Sequence, residues 1–141
     1  MTVLDLAKRW AEPSRILVVG DDASAAKALY SALSRFNCDV YAVPNLDEAV
    51  AAVCAATYSL IFVDFGLPNS VDIVRAIRAE QPDTPVLAMV SSDSLNEVLR
   101  CGPITLLRKQ FDLTPQHLKN ALAMFKVRAV GLASNRAIAT A

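Results

Sequence analysis

Cysteine and histidine are scarce in this sequence of 141 residues. The three cysteines, Cys38, Cys54 and Cys101, are widely spaced, no two of them form a Cys-x-x-Cys pair, and His117 is the one imidazole. This set lacks the ligand spacing of a zinc site, and an odd number of cysteines does not complete a disulfide framework. We therefore predict that the cysteines are buried free thiols.

The sequence also lacks a long hydrophobic run, although 54% of its residues are hydrophobic. No apolar stretch approaches the roughly 18 residues that a transmembrane helix needs, and the N-terminus lacks the basic and apolar regions of a signal peptide. We expect a cytoplasmic protein that does not bind a membrane. A chain of this length and hydrophobic content supports one well-packed domain.

Acidic residues are missing from the last part of the chain, although the formal net charge of the whole chain is zero. Up to residue 112, ten basic residues stand against 14 acidic ones, whereas the four charged residues beyond it are all basic, namely Lys119, Lys126, Arg128 and Arg136. The body is therefore acidic, and four spaced positive charges are too few for a phosphate-binding patch. We predict that this chain binds no nucleic acid.

The sequence does contain short apolar runs that alternate with amphipathic helical segments. The runs are rich in β-formers and mostly unbroken by polar residues, which is typical of strands buried on both faces of a parallel sheet. Strands are predicted over residues 15–19, 39–43, 60–63, 85–90 and 104–107. Helices are predicted over residues 23–36, 46–56, 70–80, 94–100 and 114–130.

Polar residues mark where several of these helices begin. Asn45 and Ser94 are each followed three residues later by a glutamate, which is a capping-box pattern, and Thr114 precedes a proline at the first helical position. The apolar stripe of the first helix is predicted to consist of Ala26, Leu29, Tyr30, Leu33 and Phe36.

Two extensions flank the predicted domain, which covers residues 15–130. In residues 1–14, Val3, Leu6 and Trp10 recur at helical spacing before Pro13 interrupts the pattern. This spacing predicts a short amphipathic helix, which either packs on its own domain or covers a partner. Residues 131–141 form an alanine-rich C-terminal tail.

Five apolar strands that alternate with helices indicate an α/β fold with a parallel sheet, right-handed crossovers and helices on both faces. We predict a flavodoxin-like, doubly wound sheet with the strand order 2-1-3-4-5. In this order the carboxyl ends of the first and third strands are neighbours, so Asp21 and Asp22 come to lie beside Asp64. The fifth strand is two places away, and the long side chain of Lys109 reaches over the same crevice.

Asp64 stands where the central apolar run ends. Gly66 and Pro68 follow it and turn the chain, so its carboxylate is expected on the lip of the crevice. Ligands of open α/β sheets bind at this edge, outside the carboxyl ends of the strands. Two interpretations are open, namely an acid placed for chemistry and a strand-ending residue that caps the next helix.

Four segments of the sequence resemble the receiver domains of two-component response regulators, over roughly residues 15–126. Arg-Ile-Leu-Val-Val-Gly-Asp-Asp is similar to the first strand and acidic pair of the family, and Leu-Ile-Phe-Val-Asp-Phe-Gly-Leu-Pro is similar to its phosphoacceptor strand. Pro-Val-Leu-Ala-Met-Val-Ser-Ser resembles its fourth strand with the switch hydroxyl, and Leu-Leu-Arg-Lys-Gln-Phe resembles its Lys-Pro-Phe segment.

The resemblance implies that Asp64 accepts a phosphoryl group from a histidine of a sensor kinase or phosphotransfer protein. It implies a bound Mg²⁺ or Mn²⁺ held by Asp21, Asp64 and the backbone carbonyl of Gly66, with Asp22 as a further candidate ligand. Lys109 would pair with a phosphoryl oxygen, and the alternative for it is a solvated charge at a strand end. Such a chain is a signalling domain that catalyses at most its own phosphorylation and dephosphorylation.

The sequence departs from the family pattern at several positions. Gly20 aligns with the first acid of the pair, so an aspartate at position 20 is expected to tighten Mg²⁺ binding. Val90 aligns with the switch hydroxyl, for which Ser91 or Ser92 could substitute if the strand end is bulged, and Leu106 replaces an aromatic residue. Gln110 replaces the usual proline. With two apolar residues at the switch positions, we expect a muted conformational response to phosphorylation.

In the family, the face made by the fourth helix, fifth strand and fifth helix reports phosphorylation to other proteins. In this chain it includes Lys119 and Lys126, which would suit an acidic downstream protein or a homodimer, and the alternative is a solvated helix face. Two functions are open, namely a phosphoacceptor receiver that signals through protein contacts and a receiver-like binding module that works without phosphate.

Overall fold

The computed structural model describes residues 14–109 and 112–124 of the chain. Five parallel strands form one sheet in the order β2-β1-β3-β4-β5. The strands are β1 Ser14–Val19, β2 Cys38–Val43, β3 Leu60–Asp64, β4 Val86–Val90 and β5 Thr105–Arg108. The predicted flavodoxin-like α/β fold and its strand order are confirmed.

Helices connect the strands and cover both faces of the sheet. They are α1 Ala23–Leu33, α2 Leu46–Ala55, α3 Ser70–Glu80, α4 Leu95–Leu99 and α5 Pro115–Met124. A single 3-10 turn, Ser92–Ser94, leads into α4. In the described part of the chain, no helix has both the length and the apolar character needed to cross a membrane.

The sheet separates two apolar layers, and successive residues of β3 contribute to them in turn. Ile61 and Val63 pack in the layer that contains α2 and α3, whereas Leu60 and Phe62 pack in the layer that contains α1 and α5. All four side chains are fully buried, at 0% exposure. This arrangement explains why the central run is apolar at every position, since a strand covered on both faces has no solvated side.

The first helix differs from its prediction in two ways. It ends at Leu33 rather than at residue 36, because the Phe36 N–H donates to the Leu33 carbonyl at 3.0 Å in a tighter turn and the Ser34 hydroxyl donates to the Ser31 carbonyl at 2.7 Å. Tyr30 is 40% exposed, so its predicted place in the buried stripe is wrong, although Leu29, Leu33 and Phe36 are buried. The other described strand and helix boundaries agree with their predictions to within one residue. The end of the last helix, predicted at residue 130, lies outside the described residues.

The predicted cap is confirmed for α2 and is wrong for α4. Asn45 caps α2, since its Oδ1 accepts a hydrogen bond from the Glu48 N–H at 3.0 Å. Ser94 does not cap α4, because its hydroxyl accepts from the Ser91 N–H at 3.0 Å and donates to the Ser91 carbonyl at 3.1 Å. The hydroxyl therefore stabilises the 3-10 turn that precedes the helix.

The described cysteines are free, as predicted. Burial raises the pKa of the Cys38 thiol to about 11, with a smaller contribution from the charge of Asp39. The predicted burial is wrong for Cys54, which is exposed because it follows the buried Val53 on α2 and so lies on the outer side of the helix.

Several predictions concern residues outside those that the structure describes. They are the N-terminal helix before residue 14, the effect of Gln110 on the loop after Lys109, the position of Lys126, and the C-terminal tail. The domain boundaries at residues 15 and 130 therefore stay predictions.

Candidate functional site

Asp64 is the last residue of β3, at the carboxyl edge of the sheet. Its side chain is 2% exposed. The pairing with β4 includes Asp64 itself, which lies opposite Met89, and continues through the Phe65 N–H, which donates to the Met89 carbonyl at 2.9 Å. The pairing with β4 thus fixes the backbone at Asp64 and at the residue after it.

The Oδ1 atom of Asp64 has two partners. The Gly66 N–H donates to it at 2.7 Å, and the Nζ atom of Lys109 lies 2.7 Å from it. A side chain that accepts from the backbone two residues later closes a tight turn. Helix α3 begins later, at Ser70, and its N-cap position is occupied by Asn69. The interpretation of Asp64 as the cap of the next helix is therefore wrong.

Lys109 follows β5 and crosses the crevice to two carboxylates. Its N–H donates to the Val90 carbonyl at 2.9 Å, and its Nζ lies 2.7 Å from Asp64 Oδ1 and 3.0 Å from Asp22 Oδ2. Burial by itself lowers the pKa of Lys109, but the hydrogen bonds and charges of Asp64 and Asp22 outweigh it, and the pKa lies above its ordinary value. The alternative of a solvated strand-end charge is wrong, since the side chain is 17% exposed and paired twice.

Asp22 is the N-cap of α1. Its Oδ1 accepts from the Ala25 N–H at 3.1 Å, while its Oδ2 accepts from Lys109. The hydrogen bond from the Ala25 N–H, followed by the one from Lys109, lowers the pKa of Asp22. Both of its oxygens are engaged, so coordination of a metal by Asp22 would compete with these bonds.

Gly20 and Asp21 lie where β1 leaves the sheet. A Cβ atom at Gly20 would lie 2.8 Å from the Cβ of Asp64 and 3.3 Å from its Oδ2. A side chain at position 20 therefore requires a local shift near Asp64, and the expected gain in Mg²⁺ binding from an aspartate there stays a prediction. Asp21 is exposed, and none of the described residues forms a hydrogen bond or ion pair with its carboxylate.

The donor set of the crevice is small. Within residues 14–109 and 112–124, no three or more histidine, cysteine, aspartate or glutamate side chains are grouped closely enough to hold a metal ion. Asp64 and Asp21 offer two carboxylates, and Gly66 offers a backbone carbonyl. Mg²⁺ is commonly held in proteins by one or two carboxylates together with water, so this set fits Mg²⁺ with few protein ligands.

The end of β4 carries the residues predicted for the switch. Val90 is 2% exposed and packs in the same apolar layer as Val19 and Val63, so this position belongs to the core. Ser91 is partly exposed, and its backbone is bonded on both sides to the Ser94 hydroxyl. Leu106 is 42% exposed on β5. The role of Ser91 and the muted response stay predictions.

Asp112 is a residue that the sequence analysis does not single out. Its Oδ2 accepts from the Arg108 N–H at 2.8 Å and from the Arg108 guanidinium at 3.1 Å, and its own N–H donates to the Arg108 carbonyl at 2.8 Å. The Arg108 guanidinium, followed by the Arg108 N–H, lowers the pKa of Asp112. These bonds join Asp112 to Arg108, the last residue of β5. The one signal in the sequence is an acid four residues after an arginine.

The comparison with family models decides to which family the fold belongs. The model of the response regulator receiver domain matches residues 16–123. The chain belongs to this family. Its carboxylates at the ends of β1 and β3 and its lysine after β5 therefore lie in the crevice of a receiver, and the predicted resemblance is confirmed.

Two curated relatives are longer proteins, and the chain matches only a part of each. Transcription factor prr1 of Schizosaccharomyces pombe is 33% identical over 107 residues, which are 72% of this chain and 20% of that protein. Response regulator protein PilR of Pseudomonas aeruginosa is 28% identical over 104 residues, which are 70% of this chain and 23% of that protein. The receiver spans about a fifth of the length of these relatives.

Solved structures of other receivers have the same fold. A response regulator from Hahella chejuensis is 28% identical, with a TM-score of 0.62 over 79% of this chain and 92% of that one. The receiver domain of sensor histidine kinase PA1611 from Pseudomonas aeruginosa, which has a magnesium ion coordinated in its active site cleft, is 22% identical, with a TM-score of 0.70 over 80% of this chain and 97% of that one.

Proposed function

We propose that this receiver accepts a phosphoryl group on Asp64 from a sensor histidine kinase or a phosphotransfer protein and signals through protein contacts. The observation that carries the proposal is the buried carboxylate of Asp64 at a strand end, with the Lys109 ammonium 2.7 Å away. A carboxylate nucleophile that receives an anionic phosphoryl group needs a cation at this distance. Membership of the receiver family supports the same reaction.

The proposed transfer needs little covalent assistance from the protein. A carboxylate oxygen of Asp64 attacks the phosphorus of a phosphohistidine, and the P–N bond breaks. The electron pair of that bond returns to the imidazole nitrogen, which takes up a proton. The product is an acyl phosphate on Asp64, and Lys109 neutralises part of the negative charge that arrives with it.

We propose Mg²⁺, or Mn²⁺, as the cofactor, held by Asp21, Asp64 and the Gly66 carbonyl. A bound divalent cation supplies charge neutralisation to the phosphoryl oxygens. The magnesium ion in the PA1611 receiver domain supports this assignment. Because Gly20 replaces an acid of the family pattern, we expect weaker metal binding than in a receiver with both acids.

Acetyl phosphate with Mg²⁺ should phosphorylate the wild-type chain and leave Asp64→Asn unmodified. The asparagine still accepts from the Gly66 N–H, so the variant retains the turn but loses the nucleophile. Intact-mass spectrometry before and after hydroxylamine, which releases acyl phosphates, measures the adduct. Asp83→Asn replaces an exposed acid after α3 and serves as the matched control, with labelling equal to that of the wild type. Labelling of Asp64→Asn at the wild-type level would place the acceptor elsewhere.

A receiver-like binding module that works without phosphate is the second candidate. It is favoured by Gly20, Val90 and Leu106, which stand where the family pattern has an acid, a hydroxyl and an aromatic side chain. If the folded wild-type chain takes up no phosphoryl group from acetyl phosphate, the result favours the binding module over the phosphoacceptor.

For the partner surface we propose the face formed by α4, β5 and α5. Three of its leucines are unusually exposed for apolar side chains, namely Leu95 at 47%, Leu99 at 78% and Leu106 at 42%. Lys119 on α5 is exposed as well. Exposed apolar side chains together with a basic one suit an acidic downstream protein or a second copy of the chain.

Leu99→Asn should weaken self-association or partner binding about thirtyfold, because burial of a leucine contributes roughly 2 kcal/mol to an interface. Lys119→Glu should weaken the same contact by reversing a charge. Tyr30→Asn, which changes an exposed apolar residue on α1, is the control. Sedimentation velocity measures self-association, and titration with the downstream protein measures partner binding. Wild-type behaviour of both Leu99→Asn and Lys119→Glu would exclude this face.

A further inference from the structure

One carboxylate of the crevice joins two elements that are far apart in sequence. Asp22 accepts from the Ala25 N–H of α1 through Oδ1 and from the Lys109 ammonium, 87 residues away, through Oδ2. The acidic pair of the family pattern aligns with Gly20 and Asp21, so Asp22 is an additional acid.

Asp22 is held from the α1 side. One of its oxygens is fixed by a backbone N–H of the first turn, and the partial positive charge of a helix N-terminus favours the ionised carboxylate. The other oxygen lies 3.0 Å from Lys109 Nζ. Asp22 is therefore a charged acceptor in a fixed orientation, independent of Asp64.

The partners of Lys109 change when Asp64 reacts. An ammonium has three N–H donors, and in this structure Asp64 and Asp22 accept from it. Phosphorylation converts the Asp64 carboxylate into an acyl phosphate, so the contact at 2.7 Å with Oδ1 is altered at the moment of transfer. The bond between Lys109 Nζ and Asp22 Oδ2 does not involve the reacting atoms.

We propose that Asp22 is a positioning residue that anchors Lys109 beside Asp64 and thereby speeds phosphoryl acceptance. The effect on acceptance rests on the proposed function, whereas the anchoring belongs to the unphosphorylated protein. An anchored lysine has already lost the rotamer freedom that a long side chain gives up when it binds a phosphoryl oxygen. Without Asp22, that loss would add to the barrier of the transfer.

The negative charge of Asp22 also acts in the opposite direction, because it repels an incoming phosphoryl group. The Asp22 side chain is 36% exposed, so solvent screens this repulsion, and the Lys109 ammonium bonded to it offsets its charge. Anchoring therefore outweighs repulsion.

Three variants separate anchoring from capping. Asp22→Ser keeps a hydroxyl that caps α1 but is too short to reach Lys109, whereas Asp22→Ala removes both cap and anchor. Asn45→Ala removes a cap of the same kind from α2, where the Asn45 side chain bonds the Glu48 N–H at 3.0 Å and not the crevice. Loss of a cap alone should thus appear in Asp22→Ala and Asn45→Ala as a lower urea midpoint, and not in Asp22→Ser.

The Lys109 ammonium should give a signal in ¹⁵N–¹H correlation spectra at low temperature, because an ammonium held by hydrogen bonds exchanges its protons slowly. We expect this signal to weaken in Asp22→Ser and Asp22→Ala, in which Asp64 remains as a partner of the ammonium, and to keep its strength in Asn45→Ala. Labelling by acetyl phosphate should be about tenfold slower in both Asp22 variants, which corresponds to one lost charge-assisted hydrogen bond. Asn45→Ala should be labelled at the wild-type rate.

The other possible results contradict either the anchoring of Lys109 or its effect on phosphoryl acceptance. A Lys109 signal as strong in Asp22→Ser as in the wild type would overturn the anchoring. A weakened signal with unchanged or faster labelling would overturn the role in acceptance and show that repulsion dominates. If the wild type takes up no phosphoryl group, the proposed function fails together with that role, and the Lys109 signal alone still decides whether Asp22 anchors the lysine.

Discussion

Lys109→Met should lower the free energy of unfolding by about 3 kcal/mol, because it leaves a buried carboxylate without its cation. The Asp64 side chain is 2% exposed, and the Lys109 ammonium lies 2.7 Å from its Oδ1. After the substitution, the Gly66 N–H still donates to that oxygen, but a single backbone dipole compensates a buried charge poorly. Methionine has a similar length and adds no charge of its own.

A second substitution tests whether the cost comes from the unpaired charge. Asp64→Asn together with Lys109→Met should recover most of the stability, because the amide is neutral and still accepts from the Gly66 N–H. Asp64→Asn alone should change stability little, since Lys109 keeps Asp22 as its partner. Urea unfolding of the four proteins at neutral pH gives the coupling between the two positions. Equal stability of Lys109→Met and the wild type would show that the ion pair contributes nothing to folding.

Gln81→Ala should also cost about 3 kcal/mol, through the loss of several partly buried hydrogen bonds. Its Nε2 donates to the Val53 carbonyl at 2.8 Å and to the Ala56 carbonyl at 2.6 Å. Its Oε1 accepts from the Tyr58 N–H at 3.1 Å and from the Thr84 hydroxyl at 3.0 Å. One side chain thus joins the end of α2, the start of β3 and the loop after α3, and alanine leaves all four groups without this partner.

Two further variants make the Gln81 prediction specific. Gln81→Glu keeps the size of the side chain but has no N–H donors, so two carbonyls would face a carboxylate and the cost should equal or exceed that of alanine. Gln116→Ala removes an exposed glutamine from α5 and should change stability by less than about 0.5 kcal/mol. Urea midpoints compare the variants. If Gln81→Ala unfolded at the same midpoint as Gln116→Ala, the four hydrogen bonds would contribute little.

The strands and their order follow from the sequence because burial on both faces leaves a plain signal. Every residue of β3 and β4 is buried, and their apolar runs predict both strands to within one residue. The meeting of Asp64, Asp22 and Lys109 follows from strand order alone, since the carboxyl ends of β1, β3 and β5 share one edge of the sheet.

The details of the crevice depend on side-chain orientation, which periodicity does not carry. Asp22 is predicted near Asp64, but its double role as cap and lysine partner depends on one rotamer. The contact between Gly20 and Asp64 arises from the close approach of two backbones, which the sequence does not show, and the effect of an aspartate at position 20 on Mg²⁺ binding stays a prediction. Asp112 and Gln81 act through bonds to backbone groups, and an isolated polar residue in a sequence gives no sign of such bonds.

The place of β3 between β1 and β4 has a consequence for how the crevice opens. Asp64 lies on the central strand, whose backbone amides exchange with solvent only when the sheet itself comes apart. Lys109 follows β5, which within the described residues is the last strand of the sheet and pairs with β4, so that separation there requires less free energy. We therefore expect partial opening to begin at β5 and Lys109, while Asp64 on the central strand stays in place.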